Sequence, residues 1–141
     1  MNTEQILSCA LDIGEQMLIS GAEVYRVEDC IRRIGLSYGA KNVQAFALTS
    51  SLVVTFEGEN GEYWTQTRRV RTGDTNLERV DKLNALSRRM CRDHIDYEEF
   101  DRSFREIMAR KRYPQWVEAL AFAAIAGAFT VFFVGSWVDA L

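Results

Sequence analysis

The chain has 141 residues, 48% apolar and 26% charged, with a net charge of −3 and a mean hydropathy of −0.16. Those averages merge two different polymers: all 17 basic residues and 18 of the 20 acidic ones lie at or before Arg112, leaving only Glu118 and Asp139 beyond it. Residues 1–112 are therefore close to neutral, which excludes the basic stripe that nucleic-acid binding requires.

Residues 3–20 show helical spacing, with Ile6, Ala10, Ile13 and Met17 on one stripe and Leu7, Leu11 and Leu18 beside it. Asn2 is the expected N-cap, with Gln5 three residues on, and Gly21 supplies the left-handed residue that ends a helix. Ser20 and Glu23 then read as a capping box for a second helix carrying Val24, Val27, Ile31, Ile34 and Tyr38 and ending before Gly39. The period changes after Gly39. Residues 43–49, 52–57 and 62–70 are rich in β-branched and apolar side chains, and Gly58, Glu59, Asn60 and Gly61 form a turn between the last two. Leu52, Val54 and Phe56 share one face of their strand, an apolar side for helices to cover. Residues 72–76 are a loop. Thr75 and Glu78 repeat the capping pattern before a third helix with Leu77, Val80, Leu83 and Met90. Asp96 opens a fourth, with Phe100, Phe104, Ile107 and Met108 along one side.

The chain closes on residues 119–138, which contain no charge. A helix of that length rises about 30 Å, the hydrocarbon thickness of a bilayer. Arg110, Lys111 and Arg112 precede it, Tyr113 and Trp116 mark the junction, and Trp137 stands near its far end. Pro114 sits where its missing N–H does little harm. The expected architecture is an α+β soluble domain, ααβββαα over residues 1–112, followed by one transmembrane helix over residues 113–141. Basic residues before the apolar run keep the domain on the cytoplasmic side of the membrane. Cys9, Cys30 and Cys91, odd in number and widely spaced, fit a reducing compartment better than a disulfide framework. The acidic, interrupted first 30 residues are not a secretory signal peptide.

Catalytic motifs are scarce. His94, the one histidine, lies three residues from Cys91, too few ligands for a zinc site and no recognised nucleophile–base signature. No GxSxG elbow, Walker loop or dinucleotide fingerprint is present, so neither an enzyme nor a cofactor or metal is expected. The charged residues of the first helical hairpin hold more interest. Glu15, Glu23, Arg26 and Glu28 cluster there, with Glu23 and Arg26 three apart and Glu28 and Arg32 four apart. They admit two readings, capping plus solvated ion pairs or a ligand-binding and gating cluster with Thr49 and Ser50 nearby. In the closing helix, Ala119, Ala123 and Gly127 recur every four residues, either by chance in an alanine-rich run or as a face for helix packing in a membrane.

The run Gly14 and Glu15, then Gly21, Ala22 and Glu23, then Arg26, Val27 and Glu28 resembles the signature that opens the bacterial threonine/serine exporter family. Thr49, Ser50, Ser51 and Leu52, and Tyr113, Pro114, Gln115 and Trp116 before the apolar run, are similar to that family as well. The resemblance implies a cytoplasmic N-terminal domain ahead of a bundle of membrane helices, in one long protein or in two subunits, one split pair being associated with succinate export. It implies further transmembrane helices of the same chain or a small membrane partner subunit, with a homo-oligomer expected, and the present chain reads as a truncated part of such a protein. The expected function is export of threonine/serine-like amino acids or dicarboxylates, with the soluble domain gating or assembling the transporter. The alternative is a membrane-anchored small-molecule-binding or hydrolase-like domain acting by itself.

Overall fold

Asn2 caps the first helix from both directions. Its side chain accepts from the Gln5 N–H at 2.8 Å and its own N–H donates to the Gln5 side chain at 3.0 Å, starting α1 (Thr3–Ile19). In the computed structural model, which describes residues 1–111 and 114–132, α1 is followed by α2 (Val24–Ser37), β1 (Asn42–Leu48), β2 (Ser51–Glu57), β3 (Tyr63–Arg69), α3 (Leu77–Asp93), α4 (Tyr97–Ala109) and α5 (Gln115–Phe132). The chain divides into two units, Met1–Ala109 and Arg110–Leu141.

In the first unit the three strands form one antiparallel sheet in the order β1-β2-β3. The β1–β2 register sets Val43 opposite Phe56 and Ala47 opposite Leu52, so the inward side chains of both strands share a face. That face, with Val54, packs on Leu7, Leu11, Ile31 and Ile34 of the two helices, all fully buried. Each such aliphatic side chain contributes about 1.5–3 kcal/mol when removed from water. Close approach depends on two helical glycines. A Cβ on Gly35 would stand 2.5 Å from Val43 Cγ2 and 2.8 Å from Phe56 Cζ, and one on Gly14 would stand 2.7 Å from Ile31 Cδ1.

α3 buries Val80, Leu83, Leu86 and Met90, and α4 adds Phe100, stacked on Phe104 at 5.4 Å. Arg89 of α3 pairs with Glu99 of α4. The α3–α4 turn is tied to the end of α2 by Tyr38, whose hydroxyl donates to the Ile95 carbonyl at 2.9 Å, and by His94 Nε2, 2.8 Å from the Ser37 carbonyl. His94 itself is the left-handed C-cap of α3, with φ 48°.

The second unit corrects the expected architecture. Among the described residues no helix is long and apolar enough to cross a membrane, so the chain does not show the single transmembrane helix read from its closing run. The physical reason is the polar start of α5: Gln115 and Glu118 stand in its first turn, so its charge-free described part, Ala119 to Phe132, rises about 21 Å. Arg112, Tyr113 and residues 133–138, Trp137 among them, lie outside the described residues.

Candidate functional site

Of the four charged residues of the helical hairpin, Glu23 and Arg26 pair with each other while Glu28 binds the β1 backbone. Ser20 does not begin the second helix; it is the C-cap of α1, fully buried, with its hydroxyl oxygen lacking a hydrogen-bond partner. The expected capping box is therefore absent. α2 starts one turn later than that box requires, with Glu23 as its N-cap and no side-chain capping bond. The cause is tertiary: the Ser20 carbonyl accepts from the Asn76 N–H at 2.9 Å, which holds this residue against the loop entering α3. Glu23 instead reaches Arg26, 3.6 Å away, both well exposed. Such a surface pair contributes at most about 1 kcal/mol.

Glu28 has a different partner from the one its spacing suggests. Its carboxylate accepts from the Ala47 N–H at 2.8 Å, and the ion pair on this part of α2 joins Asp29 with Arg33. Thr49 and Ser50 form the exposed two-residue turn between β1 and β2, two and three residues beyond that contact. The Ser50 carbonyl accepts from Val70 N–H at 2.9 Å. The β1–β2 turn, the loop after β3 and the α1–α2 turn are thus linked in series by the Val70–Ser50 and Asn76–Ser20 bonds. His94 sits with Ser37 at the opposite end of α2, about 20 Å along the axis. No histidine can therefore serve Thr49 or Ser50 as a base.

Glu15 is half-buried on α1, one turn from a residue that the sequence did not single out. Asp12 pairs with Arg68 of β3 at 3.1 Å, and Arg68 also reaches the Ser8 hydroxyl at 3.4 Å. Burial holds the Asp12 carboxyl above the ordinary carboxylate range; Arg68 opposes that shift, and the negative charges of Glu15 and Asp101 add to it. The i, i+3 spacing of Asp12 and Glu15 was readable, but nothing local announces Arg68, 56 positions away in sequence.

Between α2 and α3 runs an open groove of about 690 Å³. Arg26, Asp29 and Arg33 line one wall and Arg88 and Arg92 the other, with Cys30 and Ser87 buried beneath. Burial pushes the Cys30 thiol up to about 11, so it remains protonated and a poor nucleophile at neutral pH. Cys9, in the core, is pushed to about 12 by burial and the neighbouring Asp12 charge. Among the described residues, no group of three or more potential metal ligands comes together.

In the second unit Ala119 and Ala123 are exposed and Gly127 half-buried, beside exposed Phe122 and Ile125.

Residues 8–141 match the model of the family described as "Putative threonine/serine exporter". The chain belongs to that family. Its exporter-like motif occupies α1 and the start of α2: Gly14 is the contact point with Ile31 and Leu52, Gly21 takes a left-handed φ of 90° against Thr75, and Glu28 anchors β1. The chain is also similar to "Probable succinate transporter subunit YjjP" of Escherichia coli (strain K12), with 25% identity over 144 residues. The alignment covers 100% of the present chain and 56% of that relative, so the chain spans about half the length of the curated relative it matches. No solved structure matches the chain.

Proposed function

We propose that this chain forms the N-terminal part of a secondary transporter that exports small polar metabolites, threonine/serine-like amino acids or dicarboxylates such as succinate. The observation that carries this reading is the family match over residues 8–141. The succinate transporter subunit among its relatives adds the dicarboxylate class and a subunit of a larger assembly. On this reading the intact protein resides in the bacterial inner membrane, in contact with lipid, with further membrane helices of the same chain or a small partner subunit, and assembles as a homo-oligomer. The folded unit faces the cytoplasm, where its three free cysteines stay reduced. No covalent chemistry is assigned to it.

The folded unit gates or assembles the transporter through the end where the α1–α2 turn, the β1–β2 turn and the loop after β3 are linked. Glu15, Glu23, Arg26, Glu28, Thr49 and Ser50 are its working residues, and the exposed Glu23–Arg26 pair is suited to exchange partners at little cost. Ala119, Ala123 and Gly127 offer a small-residue row for contact with a neighbouring helix. The test is metabolite efflux from cells with and without the intact locus. Deletion should raise intracellular retention of one amino acid or dicarboxylate, and Glu23→Ala with Arg26→Ala should lower efflux without lowering protein abundance. Unchanged export of every amino acid and dicarboxylate on deletion would reject the transport assignment.

A further inference from the structure

The α2–α3 groove carries a charge pattern of which the transport reading uses only Arg26. Arg26, Asp29 and Arg33 recur at spacings of three and four on α2, and Arg88 and Arg92 are four apart on α3, so each set lies along one helix face. Packing of α2 beside α3 turns these two faces into opposite walls of one groove, with a volume in the range of small-metabolite sites. Four guanidinium groups and the one carboxylate of Asp29 thus line it. Arg33 holds Asp29, Arg26 is drawn toward Glu23 at 3.6 Å, and Arg92 binds Asp93 at 2.8 and 3.0 Å. Arg88 has no ion pair among the described residues.

We infer that this groove is a binding site for a small organic dianion, one charged group held by Arg88 and Arg92 and the other by the α2 wall. Three of these guanidinium groups are met only by exposed surface carboxylates and Arg88 by none among the described residues, so the groove retains capacity for an entering anion. The competing pairs are exposed and individually weak, so a ligand can displace them. Guanidinium forks bind carboxylate and phosphate oxygens through paired, charge-assisted hydrogen bonds, stronger than neutral ones. Arg26 and Arg33 are about 10 Å apart along their helix axis and Arg88 and Arg92 about 6 Å. That spread exceeds one carboxylate or one phosphate and suits a molecule with two separated charges. The site stands independently of the export assignment, since it requires only the folded unit and is read by binding alone.

Isothermal titration of the purified full chain at neutral pH tests it, with succinate and glutarate as dianion probes and acetate as the monoanion. Both dianions should bind, acetate at least about tenfold more weakly, because it forfeits one set of charge-assisted bonds. Arg88→Gln and Arg33→Gln should each weaken the dianions about tenfold, while Arg71→Gln, exposed and outside the groove, leaves them unchanged. Both groove substitutions are at exposed positions; should circular dichroism show one to be misfolded, the other decides. Absence of heat with either dianion, equal affinity for acetate, or wild-type affinity in the folded groove variants overturns the site. Binding to phosphatidylglycerol vesicles with no binding of soluble dianions also overturns it, in favour of a lipid surface.

Discussion

Glu28 of α2 accepts a 2.8 Å hydrogen bond from the backbone N–H of Ala47 in β1. β1 is an edge strand, so some of its N–H groups face away from β2 and need another acceptor. The helix carboxylate thereby fixes where α2 lies along the sheet, and it sits two residues before the Thr49–Ser50 turn. Glu28→Ala should destabilise the folded unit by about 1–2 kcal/mol, and Glu28→Gln, which keeps an acceptor oxygen, by less than half of that. Urea denaturation followed by circular dichroism measures both. Equal stability of Glu28→Ala and wild type would show the bond to be energetically silent.

Ser20 provides a sharper contrast between local and tertiary readings. A Ser that caps α2 would cost about 1 kcal/mol on replacement by Ala. The observed Ser20 has a buried hydroxyl without a partner, and its structural contact is made by its carbonyl. Ser20→Ala should leave stability unchanged or raise it by up to about 1 kcal/mol, because removing an unsatisfied buried polar group removes its desolvation cost. A loss of 1 kcal/mol in thermal or urea unfolding would restore the capping role.

Gly35 is needed for space. Its helical backbone is ordinary, yet an added methyl would press on Val43 and Phe56 at 2.5 to 2.9 Å. Gly35→Ala gains up to about 1 kcal/mol of helix propensity and loses about 1–3 kcal/mol to overpacking. The net expectation is destabilisation of about 1–2 kcal/mol. Gly39→Ala meets no neighbouring atom but is strained by its φ of 96°, so it should cost about 1 kcal/mol without disturbing the sheet. Comparing near-ultraviolet spectra of the two variants separates packing from backbone strain: only Gly35→Ala should alter the aromatic signal.

Asp12 makes the unit sensitive to pH. Its folded-state pKa is raised above the ordinary 3.8, chiefly by burial, so the folded state binds its proton more tightly than the unfolded state. The stabilisation from this group is full below pH 3.8 and is lost as pH rises through the raised folded value. Asp12→Asn removes that dependence. The stability of wild type relative to Asp12→Asn should therefore fall as pH is raised from below 3.8 toward neutrality, measured by urea midpoints at a series of pH values. A difference that stays constant, or grows in favour of wild type, would mean that the Arg68 pair outweighs burial.

The spacing of Ile6, Ala10, Ile13 and Met17 marks α1's inner stripe, and all four are buried. Leu52, Val54 and Phe56 mark the covered face of β2 in the same way. Asn2 with Gln5 specifies a helix start, because every partner lies within one turn. These features are decided by neighbours a few positions apart, so the chain itself carries them. The family motif at Gly14, Gly21, Glu23, Arg26 and Glu28 is likewise written in the chain itself.

Other features required the packed molecule. Whether Ser20 caps α2 or closes α1 depended on Asn76, and whether Glu28 met Arg32 or a strand depended on where β1 came to rest. Asp12 found Arg68, and the arginines of α2 found those of α3, through contacts between residues more than 50 positions apart. Sequence periodicity determines which side of an element is apolar, since that follows from local backbone geometry. Which two sides face each other follows from burying all of those surfaces together, and only the tertiary structure decides it.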